Sequence, residues 1–261
     1  MPKQKKPKSG DFLKFLGTAG ARFVMIKQLR ASGGIWIKKG NTNVIIDPGP
    51  GSIVRCASSK PKLDPCQLDA IILTHRHLDH SNDINVMIEA MTEGGYKKRG
   101  SLFAPKDALE EDSLILKHVR SFVGSIEPLK EKTSYSVGSF EFMTGPHNAH
   151  PVETYGFKFN LNNKSISLVG DTAFYPEILD FFKSDIIILN TVFYEPRPSV
   201  QHLCLNDAKH IIFDLKPETA ILTHFGMTML KAKPHNLVES FNQEVQTNVI
   251  AAYDGMTLIP S

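Results

Sequence analysis

Short apolar runs bounded by polar residues recur along the chain and predict a series of β-strands. Two of them, residues 70–73 and 186–189, are apolar at every position, which is typical of strands buried on both faces. Residues 140–142 and 157–161 alternate apolar with polar positions, as strands with one buried face do. Further strands are predicted at 11–16, 34–38, 43–46, 102–104, 165–169, 220–222, 249–252 and 256–259.

Other segments repeat apolar residues with the period of a helix. The clearest has them at i, i+3, i+4 and i+7, namely Ile84, Met87, Ile88 and Met91. Ser81 or Asn82 is placed to cap its start. Residues 93–138 have a weak pattern, from which we predict only the strand at 102–104, a polar helix after Pro105 and a loop through 119–124. The remaining predicted helices lie at 177–182, 205–215 and 237–245.

This order of elements predicts a single α/β domain over residues 11–261. Strands come first and last, helices are interspersed, and no linker, tandem repeat or low-complexity segment divides the region. We therefore expect helices outside stacked sheets. Residues 1–10 lack apolar periodicity, and their lysines predict a flexible basic tail. These lysines are Lys3, Lys5, Lys6 and Lys8.

Composition and charge are those of an ordinary soluble protein. Of the 261 residues 22% are charged and 41% are apolar, and the formal net charge is +3. No stretch approaches the roughly 20 apolar residues of a membrane span, and we expect no secretory signal. Cys56, Cys66 and Cys204 are an odd number at no metal-binding spacing, so we expect a reduced cytoplasmic compartment. A homodimer is compatible with the sequence.

The segment 74–80, Thr-His-Arg-His-Leu-Asp-His, carries the strongest chemical signal. It contains four candidate metal ligands within six residues: His75, His77, Asp79 and His80. On a helix, at about 100° per residue, these side chains would spread over more than half the circumference, and on a strand His80 would point away from the others. Since neither geometry serves one ion, we predict a loop around two metal ions. The alternative is a polar loop that is only rich in histidine.

Three further candidate ligands follow predicted strands later in the chain, namely His150, Asp171 and His224. The complete set has five histidines and two carboxylates and no thiolate, which suits zinc, with manganese or iron as alternatives. Asp47 begins the turn Asp-Pro-Gly-Pro-Gly after another strand. It is either a turn cap or a carboxylate that orients a ligand histidine through its free ring nitrogen.

These residues resemble the signature of the metallo-β-lactamase superfamily, His-x-His-x-Asp-His followed by a single His, an Asp and a final His. The order and spacing agree over nearly the whole chain. The resemblance implies a four-layer αββα sandwich with the site at one edge of the two sheets. It also implies two metal ions, the first held by His75, His77 and His150, the second by Asp79, His80 and His224, with Asp171 bridging them.

His147 is a rival to His150 as the third histidine. We favour His150 because its six-residue step to Gly156 resembles the nucleic-acid and phosphodiester branch of the superfamily. Features of other branches are missing from this sequence: the cysteine ligand of the lactamases, the Glu that flavodiiron reductases have in place of His77, and the Gly-His-Thr-x-Gly motif of glyoxalase-type enzymes.

Three motifs resemble RNase Z and related phosphodiesterases. They are Phe15-Leu16-Gly17-Thr18, Gln201-His202-Leu203 and Leu222-Thr223-His224-Phe225. In RNase Z a histidine at the matching place helps to protonate the leaving oxygen, so His202 is the candidate general acid. The alternative is a helix-capping or surface histidine. Arg197, in a proline-rich segment, either binds a substrate phosphate or belongs to an ordinary surface loop.

We therefore predict a binuclear metal hydrolase that acts on a phosphodiester, with Asp79 also holding the attacking hydroxide in line. The long arm by which RNase Z grips tRNA is not recognisable, and the net charge is close to neutral. A small-molecule or nucleotide substrate is therefore expected before a large nucleic acid. The alternatives are a hydrolase of carboxylic esters, thioesters or lactones on the same metals, and a metal-dependent binding protein without enzymatic activity.

Overall fold

Two mixed β-sheets lie face to face in the computed structural model, which describes residues 10–110 and 112–261. The tail predicted over residues 1–10 lies, apart from Gly10, outside this part of the chain. The first sheet has the strand order Thr257–Leu258 (β15), Phe12–Phe15 (β1), Ile35–Lys39 (β2), Thr42–Ile46 (β3), Ala70–Ile72 (β4), Arg99–Ala104 (β5) and Val123–Pro128 (β6). The second has the order Asn248–Ala251 (β14), Thr219–Thr223 (β13), Ile186–Phe193 (β11), Lys164–Leu168 (β10), Tyr155–Leu161 (β9), Phe140–His147 (β8) and Ser134–Val137 (β7), and Leu203–Cys204 (β12) pairs with β11.

Helices cover the outer faces of these sheets. Those that follow strands of the first sheet are Ala21–Ile26 (α1), Ser52–Ser58 (α2), Leu78–Ser81 (α3), Ile84–Met91 (α4), Lys106–Leu109 (α5) and Lys117–Arg120 (α6), with a 3₁₀ turn at Pro65–Gln67. Those of the second half are Glu177–Phe181 (α7), Leu205–Leu215 (α8), Met227–Lys231 (α9) and Pro234–Phe241 (α10). No described helix combines the length and the apolar character needed to cross a membrane.

The apolar residues form three layers, because the central strands are covered on both faces. Ile72 and Phe157 belong to the cluster between the sheets. Ile71 faces outward and joins the cluster under α2 and α4, and Ile187 joins the cluster under α8 and α10. Covered strands of this kind need an apolar residue at every position, as the sequence pattern indicated. The predicted αββα sandwich is confirmed.

Most predicted elements are present, and the differences fall where the pattern was weak. The predicted loop at 119–124 contains the end of α6 and the start of β6. β6 and β7 are edge strands with half-exposed residues, so they lack the continuous apolar run that made the central strands visible. The helices α1 and α2, which were not predicted, are at most two turns long. Ser81 does not cap α4, since its hydroxyl donates to the carbonyls of Arg76 and His77.

The parallel pairing of strands brings several loops to one edge of the sandwich. β3 pairs in parallel with β4 in the first sheet, and β11 pairs in parallel with both β10 and β13 in the second. Parallel strands end at the same edge, so the segments that follow them converge there. Those segments begin at Asp47, Leu73, Val169 and His224.

The C-terminal residues close the first sheet onto its N-terminal strand. β15 pairs with β1, and the Lys14 ammonium donates to the Thr257 hydroxyl at 2.9 Å. Asp254 accepts hydrogen bonds from the backbone N–H and the hydroxyl of Thr18 at 2.9 and 2.8 Å, and from the N–H of Ala31 at 2.8 Å. The loop that carries α1 is therefore held at both of its ends by one carboxylate.

We expect Asp254→Asn to destabilise the fold. An amide has one acceptor oxygen instead of two, so it can accept hydrogen bonds from Thr18 or from Ala31 but not from both. The free energy of unfolding should therefore fall by about 1–3 kcal/mol. Urea denaturation monitored by circular dichroism measures the loss. The control is Asp112→Asn, whose exposed carboxylate pairs with Arg76 and should matter by less than about 0.5 kcal/mol. Equal stability of the two variants would contradict the role of Asp254.

Candidate metal centre

The converging loops bring all seven predicted ligands into one cluster. In each of three overlapping groups the potential ligand atoms lie within 4.8 Å of one another. The groups are His75, His77 and His150; His75, His80 and Asp171; and Asp79, His80 and His224. This arrangement has the two triads and the shared aspartate that the superfamily resemblance implied. The structure does not bring His147 into the cluster, since this exposed residue ends β8 and its ring contacts that of Tyr155.

The histidine-rich segment is part loop and part helical turn. Residues 74–77 form a loop after β4, and His77, the residue before α3, has an extended backbone with φ −61° and ψ 147°. Asp79 and His80 lie within the single turn of α3. The change from extended to helical backbone at His77 sends the first two histidines to one triad and the last two ligands to the other.

Two site residues have left-handed backbone conformations. Asp47 has φ 54° and His224 has φ 58°, a region that Asp and His visit more readily than β-branched residues do. A Cβ atom at Gly20 would lie 2.0 Å from the carbonyl oxygen of His224, so only glycine fits where the start of α1 crosses this ligand. Likewise, a Cβ atom at Gly49 would lie 2.0 Å from the carbonyl oxygen of Asp79, so only glycine fits there.

The Asp47 carboxylate is buried and connects the two triads. It accepts the backbone N–H and the hydroxyl of Thr74, each at 2.7 Å, and its Oδ2 lies 2.9 Å from Nδ1 of His80. Because the Thr74 hydroxyl donates its proton to Asp47, the Nδ1–H of His75, 2.9 Å away, donates to the Thr74 oxygen. The geometry supports the prediction that Asp47 orients a ligand histidine, while the backbone N–H that its carboxylate accepts belongs to Thr74, 27 positions away, and not to its own turn.

These contacts orient the ring nitrogens of the histidines. His75 and His80 use Nδ1–H toward Thr74 and Asp47, and His150 directs Nδ1 at the carbonyl of Gln201, 3.1 Å away. With Nδ1 protonated, the Nε2 lone pair of each ring points into the cluster, as metal-binding histidines require.

The first triad has the spacing of ligands around a single ion. Nδ1 of His77 lies 3.0 Å from Nε2 of His75 and 3.2 Å from Nε2 of His150. Two nitrogens bound to one tetrahedral zinc ion, each at about 2.0–2.1 Å, are roughly 3.3 Å apart. Lone pairs converging at this distance repel one another unless a cation lies between them, so the residues fit a metal ion.

One oxygen of Asp171 faces both triads. Its Oδ2 lies 3.9 Å from Nε2 of His75, 3.5 Å from Nε2 of His80 and 3.4 Å from Nε2 of His224. Asp79 Oδ2 lies 3.6 Å from Nε2 of His224. The Nε2 atoms of His80 and His224 are buried and have no hydrogen-bond partner among the described residues. Buried polar atoms of this kind require a partner, which a second ion would provide.

Burial and neighbouring charges shift the pKa values of the candidate ligands in opposite directions. Burial holds the pKa of His75 well below its ordinary value and lowers that of His150 to about 4, so both rings are neutral and able to bind a metal. Burial would also lower the pKa of His80, but the carboxylates of Asp79, Asp47 and Asp171 raise it well above the usual range. Burial opposes ionisation of Asp171, yet the surrounding histidines keep its pKa well below the ordinary carboxyl value.

Two asparagines that the sequence pattern does not single out hold Asp171 in place. Asn190 donates from its side-chain amide to Oδ1 of Asp171 at 2.7 Å, which leaves Oδ2 for the cluster. The buried Asn148 donates to the backbone carbonyls of Val169 and Asp171 at 2.7 and 3.1 Å. Asn190 interrupts the apolar strand β11, and a polar residue inside such a run was the available signal.

His202 lies in the cluster and does not cap α8. Its Nδ1 is 3.5 Å from Oδ2 of Asp171, and its ring contacts the ring of His150 at a centroid distance of 5.1 Å. α8 begins after Cys204, whose N–H donates to Asp207. Arg197 is exposed, and its guanidinium stacks over Phe193, 4.9 Å from the ring centroid.

The sandwich and the cluster at its edge define a metal-dependent hydrolase of the αββα class. The chain belongs to the metallo-β-lactamase superfamily, since the family model described as "Beta-lactamase superfamily domain" matches residues 42–225. An uncharacterised protein of Methanocaldococcus jannaschii is 30% identical over 256 residues, covering 95% of this chain and 91% of that protein. A Staphylococcus aureus protein described as a metal-dependent hydrolase is 23% identical, and the match covers 80% of this chain and 89% of that protein.

Solved structures share the fold at low sequence identity. The metallo-β-lactamase fold protein YhfI of Bacillus subtilis has a TM-score of 0.78 at 19% identity, covering 96% of this chain and 99% of that one. A diphosphatase of the PhnP family has a TM-score of 0.72 at 20% identity, covering 96% and 98%. The short form of human tRNase Z has a TM-score of 0.69 at 16% identity, covering 96% and 100%.

We expect Asn190→Leu to weaken metal binding. The substitution keeps the approximate volume but removes the donor to Asp171, so the affinity should fall about 10- to 100-fold, as is usual when a group that orients a ligand is lost. Competition with a chromogenic chelator measures the affinity. The exposed Asn236→Ala serves as the control, and an unchanged affinity in the Asn190→Leu variant would show that Asp171 is oriented without this contact.

Proposed function

We propose that this chain hydrolyses phosphodiesters with two divalent metal ions, zinc being the first candidate. The observation that supports this best is the position of Asp171, whose Oδ2 lies within 3.9 Å of nitrogens from both triads. A single carboxylate oxygen in that position fits a ligand shared between two ions. On this proposal His75, His77 and His150 hold one ion, Asp79, His80 and His224 hold the other, and Asp171 bridges them.

The chain's own residues divide the work of such a hydrolase. Two bound ions supply Lewis acidity, which lowers the pKa of a water and neutralises charge that develops on the substrate. Asp79 is 14% exposed at its side chain and accepts a proton or hydrogen bond from the attacking water. His202 lies beside Asp171 and is 15% exposed at its side chain, so it can reach the leaving oxygen as a general acid.

Two observations favour a phosphodiester over a carboxylic ester. His202 joins the cluster from the segment that resembles RNase Z, and Arg197 is held by Phe193, whose ring contacts His202 at a centroid distance of 5.9 Å. A guanidinium there suits phosphate recognition. Two of the neighbours with this fold are described as a diphosphatase and a tRNase Z.

We propose a small-molecule or nucleotide substrate and a cytoplasmic location.

Hydrolysis of bis(p-nitrophenyl) phosphate tests this proposal directly. We expect a metal-loaded sample to release p-nitrophenol, a chelator to stop the reaction, and Asp79→Ala to lower kcat at least about 100-fold by removing a group that acts on the nucleophile. Asp112→Ala, at an exposed carboxylate, is the control. No turnover by a fully metal-loaded sample would sink the phosphodiesterase proposal, and activity confined to lactones or thioesters would replace it with the carboxylic-ester alternative.

The general-acid role of His202 predicts a dependence on the leaving group. A poor alkoxide leaving group needs protonation more than p-nitrophenolate does, so His202→Ala should lower kcat about 100-fold or more with an alkyl ester and much less with a p-nitrophenyl ester. Steady-state kinetics with a matched pair of phosphodiesters measures the two losses. If both substrates lose the same factor, His202 acts on the cluster and not as the proton donor.

A further inference from the structure

The arginines of this chain fall into two groups. Five of the seven use their guanidinium in an ion pair or a hydrogen bond with the fold, namely Arg30, Arg55, Arg76, Arg99 and Arg120. Within residues 10–110 and 112–261, Arg22 and Arg197 make no such contact, although Arg197 stacks on Phe193. These two exposed side chains thus keep all their N–H donors available for a ligand.

Arg22 lies on α1, a helix that adjoins the metal centre. It is the second residue of α1, which starts where Gly20 crosses the carbonyl of His224. α1 lies beside α3, the turn that contains Asp79 and His80, and beside α9. A Cβ atom at Gly20, two residues before Arg22, would lie 2.8 Å from Cδ2 of His224, so the segment that begins α1 passes directly beside the ring of this candidate ligand.

Arg197 approaches the same centre from the other half of the sandwich. It follows β11 of the second sheet, whereas Arg22 follows β1 of the first. Its position is set by the stack on Phe193, and Phe193 contacts His202. Among the described residues, two guanidinium groups without hydrogen-bond partners therefore stand on separate elements around one cluster.

We propose that Arg22 is a substrate-binding residue, and that together with Arg197 it selects substrates which carry a second anionic group, a phosphate or a carboxylate, besides the ester that is cleaved. This inference rests on the proposed hydrolase function. The metal ligands take the group that reacts, so a guanidinium outside the ligand set is available for the group that does not. A planar fork of donors binds either oxyanion through two parallel hydrogen bonds.

A series of two-headed competitors tests the assignment without knowledge of the natural substrate. One phosphonate of an alkane bisphosphonate can occupy the metals, and the other reaches Arg22 only at a suitable chain length. Calorimetry on the metal-loaded protein, with free metal in excess, gives the ratio of the dissociation constants of each monophosphonate and the bisphosphonate of equal length. At the best length we expect the bisphosphonate to bind about 10- to 100-fold more tightly.

We expect Arg22→Gln to reduce this ratio toward one. Lys27→Gln is the matched control, because it removes one positive charge from an exposed residue just after the same helix. Arg22 is exposed, so thermal unfolding should show the same melting temperature for all three proteins. A bisphosphonate that is no better than the monophosphonate at any length, or a preference that Arg22→Gln leaves intact, would overturn the assignment.

The two proposals fail in different ways. Calorimetry needs no turnover, so selectivity for bisphosphonates without hydrolysis of bis(p-nitrophenyl) phosphate would refute the reaction and keep the anion-binding residue. Hydrolysis of that substrate without any selectivity would refute the role of Arg22 and keep the reaction.

Discussion

The geometry of the metal centre depends on one buried carboxylate, that of Asp47. It holds Thr74 by the backbone and by the hydroxyl, and through Thr74 it orients His75, while its other contact orients His80. The same carboxylate therefore orients one candidate ligand from each triad: His75 through Thr74, and His80 directly. Since Asp47 directly follows β3 and Thr74 lies two residues after β4, the parallel pairing of those strands is what brings the carboxylate within reach. Two residues after Asp47, a Cβ atom at Gly49 would lie 2.0 Å from the carbonyl oxygen of Asp79, so this turn needs glycine there.

The candidate ligands can be recognised in the sequence because metal chemistry needs particular residue types, which here stand at the ends of strands. Histidines and carboxylates that follow apolar runs are visible without any long-range information, and the structure gathers all seven of them. The choice of His150 over His147 rests on the family resemblance; in the structure His150 lies in the cluster and His147 does not. The burial of β4 and β11 on both faces could also be predicted from local sequence, because a strand covered on both faces is a nearly continuous apolar run.

The residues that position the ligands could not be predicted in this way. Asn190 and Thr74 act through contacts with residues 19 positions away and 27 positions away, so their role appears only when distant segments meet. The helix α1, which carries Arg22, could not be predicted because its 6 residues are too few to show a helical period. The edge strands β6 and β7 were missed because exposed positions dilute their pattern. Local sequence thus indicates which atoms can bind a metal, and the long-range contacts decide how they are aimed.

The hydrogen bonds that join residues 14–18 to residues 254–257 have a consequence for the order of folding. The Lys14 to Thr257 contact spans 243 positions, and Asp254 reaches back 236 positions to Thr18. Contacts of such separation form late, because the loop that they close has a high entropic cost. The loop that carries α1 beside His224 is therefore fixed only once Asp254 has folded back onto Thr18 and Ala31. The histidine-rich segment at 74–80 is synthesised well before these contacts can form, so the loop beside His224 is one of the last parts around the candidate metal centre to become ordered.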